Sequence, residues 1–174
     1  MAGVRVSNPI TITITVSGDP QSQDRRTRQL RAKDGRVFSG TYLLPGTRRW
    51  REAILAAARR HPDFPRDPWQ GPVRVSIEAF FERPRYMQAK KFGDGPIRKN
   101  SKPDADNLVK AVLDALTPPR PKRVTTKEQR AVLRKGYMWE DDGQVHLGPV
   151  DRWYAAREAG PGVVITIERI AEDA

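Results

Sequence analysis

Cysteine is absent from this chain of 174 residues, and histidine occurs only twice, as His61 and His146. Without cysteine the chain has no disulfide framework, no thiolate nucleophile and no zinc–thiolate site. The two histidines lie far apart in the sequence, which excludes a histidine-rich metal site. Any metal that binds would therefore depend on oxygen ligands, which favours Mg²⁺, with Mn²⁺ as a substitute.

Long apolar runs are also missing, and no stretch resembles a signal peptide or a membrane-spanning helix. We therefore expect a cytoplasmic protein with no membrane partner. Acidic residues are outnumbered: 32 Lys and Arg stand against 21 Asp and Glu, which gives a formal net charge of +11. This excess of positive charge predicts a polyanionic partner, although a solvated surface that is merely basic is the alternative.

The hydrophobic pattern predicts one α+β (mixed α/β) domain over residues 1–174, with its core at about 10–170. A small β-sheet packs with two main helices. Alternating β-branched or apolar residues predict the strands, which are 10–16, 37–44, 73–81, 144–153 and 163–170. A first helix is predicted over 48–60, with Thr47 as its cap and Trp50, Ile54, Leu55 and Ala58 on its apolar face.

The second predicted helix lies in Lys102–Leu116, KPDADNLVKAVLDAL. Its apolar face is formed by Leu108, Val112, Ala115 and Leu116, which recur at helical spacing. Asp104 occupies the expected N-cap and Asp106 the first turn, so two carboxylates can converge where the helix begins. A capped helix with salt bridges is the simpler interpretation of this segment.

Three segments rich in Lys and Arg are predicted as basic loops, at 21–36, 83–103 and 117–136; the last is partly helical over 122–135. We expect the first two loops to contact the DNA backbone, because guanidinium and ammonium groups bind phosphates. The predicted DNA-binding residues are Arg25, Arg26, Arg28, Lys99 and Lys102.

A second acidic cluster, Glu140-Asp141-Asp142, follows the helix in sequence. If the two acidic segments meet, Asp104, Asp106 and Asp142 form an oxygen-rich cluster that a divalent metal would stabilise. Lys110, one turn after Asp106, is placed to stabilise negative charge on a reacting phosphate. Acidic residues surrounded by basic loops are the charge pattern of a metal-dependent nuclease.

Two motifs strengthen this interpretation. Residues 104–116 read D-x-D-N-L-x-K-x-x-x-D-A-L, and residues 139–145 read W-x-D-D-x-Q-V. Taken together, the motifs resemble those of the RusA family of Holliday junction resolvases, and the resemblance extends from about residue 10 to residue 170.

The resemblance implies a Mg²⁺-dependent homodimer that nicks four-way DNA junctions symmetrically during recombination and repair in bacteria or phages. It implies that Asp104, Asp106 and Asp142 are catalytic metal ligands and that Lys110 is the catalytic lysine. It also implies supporting roles for neighbouring residues, namely Asp141, Asp114 and Gln144.

Other functions remain open from the residues alone. One is a metal-dependent nuclease that acts on other branched or flap DNA. Another is a basic DNA-binding module without catalytic activity, which would not need three aspartates and a lysine at these positions. A glycosyltransferase with a D-x-D motif is a third, but it would leave the basic charge unexplained.

Overall fold

The computed structural model describes residues 10–23, 25–88, 90–119 and 126–170. Its strands are β1 Thr11–Ser17, β2 Arg25–Arg31, β3 Val37–Leu43, β4 Val73–Phe81, β5 Ile97–Arg98, β6 Val145–Tyr154 and β7 Gly162–Arg169. Its α-helices are α1 Pro45–Arg59, α2 Ala105–Leu116 and α3 Lys127–Arg134. Short 3₁₀ turns occur at Arg85–Gln88, Lys90–Phe92 and Asp142–Gln144.

Five strands form a mixed sheet in the order β1-β7-β4-β6-β5. Only the β4–β6 pair is parallel, and the other three pairs are antiparallel. Burial alternates along β1 and β4, so that Ile12, Ile14 and Val16 point into the core while Thr11, Thr13 and Thr15 are exposed. This alternation arises because successive side chains of a strand point to opposite faces.

Helices α1 and α2 supply the other half of the core. Trp50, Ile54 and Ala58 of α1 are buried, as is the whole predicted apolar face of α2. The α+β class with two main core helices is therefore confirmed. In the part of the chain that the structure describes, no helix is both long and apolar enough to cross a membrane.

The first helix starts differently from the prediction. Helix α1 begins at Pro45, a residue whose fixed backbone suits the first turn, and its N-cap position is Leu44. Thr47 is not the cap: it is buried inside the helix, and its hydroxyl donates a hydrogen bond of 3.0 Å to the carbonyl of Ser22. Thr47 thus attaches the segment before β2 to helix α1.

The prediction of a basic loop over residues 21–36 is wrong. Strands β2 and β3 pair in a continuous antiparallel register from Arg25↔Leu43 to Arg31↔Val37, and they form a separate two-stranded sheet. Gly35 allows the tight turn between them, because its φ of 84° is unfavourable for residues with a Cβ atom. We call residues 25–43 the basic hairpin.

The other two predicted loops are partly regular. Residues 83–103 contain two 3₁₀ turns and the short strand β5, which pairs with β6. The helical part expected in the third basic segment is α3. Residues 120–125 of that segment lie outside the described residues.

Candidate active site and nucleic-acid interface

Asp104 and Asp106 lie at the start of α2, as predicted. Asp104 occupies the N-cap position, but its side chain makes no capping hydrogen bond, and Asp106 lies in the first turn. Both residues are exposed. Within the described residues neither carboxylate makes a hydrogen bond or an ion pair, and the same holds for the exposed ammonium of Lys110 one turn later. The helix dipole stabilises the two carboxylates and leaves their oxygens available to a cation.

Arg152 holds the segment that precedes Asp104. Its Nη1 donates to the carbonyl of Ser101 at 3.1 Å and to the carbonyl of Pro103 at 2.6 Å. Because Arg152 belongs to β6, these bonds attach the start of α2 to the main sheet. Arg152 was not predicted from the sequence, since one arginine in a basic chain gives no signal.

Lys99 is the predicted DNA contact that the structure places differently. Its side chain is only 6% exposed, and its ammonium lies 5.1 Å from the ring centroid of Phe81 and 4.7 Å from that of Tyr154. It donates to Ser101 Oγ at 2.6 Å and to Tyr154 Oη at 3.3 Å. An ammonium enclosed in this way cannot reach a phosphate, so the prediction of a DNA contact by Lys99 conflicts with the structure.

Asp142 begins the short 3₁₀ turn Asp142–Gln144, which we call the acidic turn. Hydrogen bonds of the neighbouring side chains fix its conformation. Asp141 Oδ1 accepts from the backbone N–H of Gly143 at 2.9 Å. The side-chain oxygen of Gln144 accepts from the N–H groups of residues 140 and 141, and its amide nitrogen donates to the carbonyls of residues 69 and 71. Gln144 therefore fastens the acidic turn to the segment that leads into β4.

The acidic turn lies toward the C-terminal end of α2. Met138 N–H donates to the carbonyl of Leu116 at 3.0 Å, and Trp139 Nε1 donates to Thr117 Oγ1 at 2.7 Å. The 12 residues of α2 span about 18 Å, so Asp142 follows a segment anchored at the opposite end of this helix from Asp104 and Asp106. Over the described ranges no group of three or more His, Cys, Asp or Glu side chains lies close enough to hold a metal.

Asp114 connects α2 to the chain that leads into the basic hairpin. Its Oδ2 accepts a hydrogen bond of 2.5 Å from Gln23 Nε2 and lies 3.6 Å from Arg51 Nη1. The backbone N–H of Gln23 donates to the carbonyl of Asn107 at 3.0 Å. Gln23, in the segment that leads into the hairpin, is thus fixed to the helix that carries Asp106.

Of the other predicted DNA contacts, Arg26 and Arg28 are exposed on β2, and Arg25 is the first residue of that strand. Lys102 is exposed two residues before Asp104. Positive charge thus lies on the hairpin and directly beside the first acidic pair.

The family model for the endodeoxyribonuclease RusA matches residues 17–122, which is more than half of the chain. The matched region includes the basic hairpin, Asp104, Asp106 and Lys110, and it ends before the acidic turn. A search of curated proteins found no match. The chain therefore belongs to the RusA family of endodeoxyribonucleases, enzymes that act on Holliday junction DNA.

Proposed function

We propose that this protein is a Mg²⁺-dependent, structure-selective endonuclease that resolves Holliday junctions by paired symmetric nicks. It acts as a homodimer, each chain being a single domain over residues 1–174, and Mn²⁺ can replace Mg²⁺. The observation that carries the proposal is the pair of exposed carboxylates, Asp104 and Asp106, which no side chain of the described residues neutralises in a protein of net charge +11.

The chemistry of the donor set fits a hard divalent cation. Asp104, Asp106 and Asp142 offer carboxylate oxygens, which Mg²⁺ and Mn²⁺ prefer, and the chain has no cysteine that would favour a softer metal. When bound, such a cation polarises a phosphate oxygen and activates a water molecule as the nucleophile. The role of the three aspartates is to hold the cation beside the scissile phosphate.

The separation of the acidic segments supports a site that two protomers share. Asp104 and Asp106 begin α2, whereas the turn that carries Asp142 follows residues attached to the other end of that helix. A folded helix of about 18 Å cannot shorten to bring the aspartates together. In a two-fold dimer, Asp142 of one protomer instead joins Asp104 and Asp106 of its partner. This arrangement forms two equivalent sites, as two symmetric nicks require.

The remaining predicted residues stabilise the transition state, position the acidic turn or bind the DNA. Lys110 extends from α2 one turn beyond Asp106, where its ammonium stabilises the charge that builds on the phosphate in the transition state. Asp141 and Gln144 hold the acidic turn, and Asp114 holds Gln23 in the segment that leads into the hairpin. Arg25, Arg26, Arg28 and Lys102 bind the DNA around the site.

A cleavage assay tests the proposal. A labelled four-way junction, a flap substrate and a linear duplex of the same sequence are each incubated with the protein and Mg²⁺, with EDTA as the control. We expect paired nicks in the junction alone, and none with EDTA. Equal cutting of the flap would assign the enzyme to branched DNA in general. Tight binding without any cutting would contradict the proposal and favour a DNA-binding module.

A further inference from the structure

The basic hairpin stands apart from the rest of the fold. In the described chain its strands pair only with each other, and every residue from Arg26 to Arg31 is exposed. Leu30, Val37 and Tyr42 are 39%, 55% and 46% exposed, although they are large and apolar. Each strand of seven residues extends about 24 Å. An isolated two-stranded ribbon is only marginally stable in water, so contact with a partner would stabilise this hairpin.

The charge of the hairpin indicates the chemistry of that partner. Residues 25–43 contain six basic residues and one acidic residue, Asp34, a net charge of +5. Asp34 lies 2.6 Å from Arg36 at the tip, and the hydrogen bond from Arg36 lowers the pKa of its carboxyl group. Two such ribbons from different protomers would repel each other, whereas a polyanion would be attracted.

Two guanidinium groups lie on one face of the hairpin. Arg26 and Arg28 lie on the same face, because residues two apart on a strand point the same way. Arg26 lies opposite Tyr42 and Arg28 opposite Gly40. Gly40 lacks a side chain, and Leu30 occupies the adjoining space: a Cβ atom at Gly40 would come within 2.9 Å of Leu30 Cδ1.

The dimensions of the hairpin match a groove of duplex DNA. The major groove is about 12 Å wide and admits a two-stranded ribbon, whose strands lie about 4.8 Å apart. The α-carbons of Arg26 and Arg28 are separated by about 6.8 Å, which is the rise of about two base steps. Arginine and lysine both pair with guanine O6 and N7 in this groove, and the planar guanidinium of arginine suits such a pair of acceptors better than the ammonium of lysine.

We propose that the basic hairpin lies in the major groove of one duplex arm of the substrate, where Arg26 and Arg28 contact base edges two steps apart. This inference rests on the proposed action on branched DNA, since it states how the same enzyme grips that substrate. The attachment of Gln23 to Asn107 and Asp114 holds the segment that leads into the hairpin beside the helix that carries Asp106. The base contacts would therefore lie at a constant distance from the nick and give the enzyme a sequence preference.

Footprinting with dimethyl sulfate tests the groove, because this reagent methylates guanine N7. The Asp106→Asn protein is bound to a four-way junction so that the DNA stays intact. We expect protected guanines in one short segment of each contacted arm. In the same background, Arg26→Lys with Arg28→Lys keeps the charge but removes the two-pronged contacts. Its N7 protection should be weaker, while its affinity keeps the same salt dependence.

A second measurement uses the active enzyme on a pool of junctions with randomised arms. Arg26→Lys and Arg28→Lys should each relax the preference at one position, by at least about fivefold, and the two positions should lie two base pairs apart. Arg66→Ala is the control, since Arg66 is an exposed arginine of the loop after α1. It should change neither the footprint nor the preference.

Three results would overturn the inference: no N7 protection, undiminished protection in the double lysine variant, or protection of adenine N3, which lies in the minor groove. Loss of the dimer on Leu30→Ser or Tyr42→Ser would also overturn it by assigning the hairpin to a second copy. A footprint without cutting by the wild type would contradict the proposed function and leave the hairpin inference standing. Junction cutting without a footprint would support the proposed function and contradict the hairpin inference.

Discussion

Tyr154 and Lys99 share a buried polar cluster beside the segment that leads to Asp104. The Tyr154 hydroxyl lies 3.0 Å from Ser101 Oγ and 3.3 Å from Lys99 Nζ. The hydrogen bond with Ser101 lowers the pKa of Tyr154 below its ordinary value of 10.0, burial opposes this, and the Lys99 ammonium lowers it further. The cluster therefore favours the ionised phenol in the folded protein.

The stability difference between the wild type and Tyr154→Phe should depend on pH. Because the pKa of Tyr154 is lower in the folded chain, its ionisation contributes stability that is fully present above pH 10.0 and is lost as the pH falls through the lowered pKa. Urea unfolding of both proteins at about pH 8 and about pH 10 measures this. The free energy of unfolding of the wild type, relative to that of Tyr154→Phe, should be higher at about pH 10 than at about pH 8. A constant difference would contradict the assigned environment.

Lys110→Ala should lower the cleavage rate more than the affinity for the junction. The ammonium is assigned to charge that develops in the transition state, so its loss affects the reaction more than binding. Single-turnover cleavage rates and gel-shift affinities of the variant and of Lys110→Arg separate the two effects. A fall in affinity alone would make Lys110 a positioning residue.

At the scale of elements, Gln144 determines the shape of the acidic turn. Its side chain makes four hydrogen bonds, two accepted from the turn and two donated to residues 69 and 71. Gln144→Ala should lower the free energy of unfolding by about 1–3 kcal/mol, because three partly buried backbone groups and the exposed N–H of residue 141 lose their partners. It should also raise the Mg²⁺ concentration that cleavage requires.

Gln88→Ala is the matched control for that experiment, since Gln88 donates a single side-chain hydrogen bond, to the carbonyl of Arg83. Urea unfolding and Mg²⁺ titration of cleavage should give wild-type values for this variant. Equal effects of the two substitutions would show that the turn does not depend on Gln144.

Hydrophobic periodicity predicted most of the elements, including β3 of the basic hairpin, but it did not predict β2. Strand β4 and the buried face of α2 follow from alternation and helical spacing, because burial imposes both patterns. None of the hairpin side chains whose burial the structure describes is buried, and β2 carries arginines where a strand usually alternates. The Asp34-Gly35 pair between segments of equal length was the available signal.

Tertiary contacts account for the site residues that sequence analysis misplaced. Lys99 looked like one more cation of a basic loop, and only the folded chain shows Phe81 and Tyr154 around its ammonium. The bonds from Arg152 to the segment before Asp104 likewise join residues about 50 positions apart. Spacing along a chain carries no information about such contacts.

At the scale of the whole molecule, the two acidic motifs belong to one proposed site but not to one end of the fold. The sequence predicted one cluster of Asp104, Asp106 and Asp142 if the two acidic segments meet. In the structure Asp104 and Asp106 begin α2, whereas the segment before Asp142 is attached to the other end of this helix. The proposed dimer reconciles these observations. Catalysis would then require dimerisation, and the symmetry of the dimer would determine where the two strands are cut.

Subunit mixing tests this account most directly. Asp106→Asn and Asp142→Asn proteins with different tags are co-expressed, and the heterodimer is purified with both tags. Each homodimer should be inactive, because each of its sites lacks one aspartate. In the heterodimer one shared site lacks both residues and the other keeps all three aspartates, so it should nick one strand of the junction. A heterodimer as inactive as its parents, beside an active wild type, would contradict the shared site.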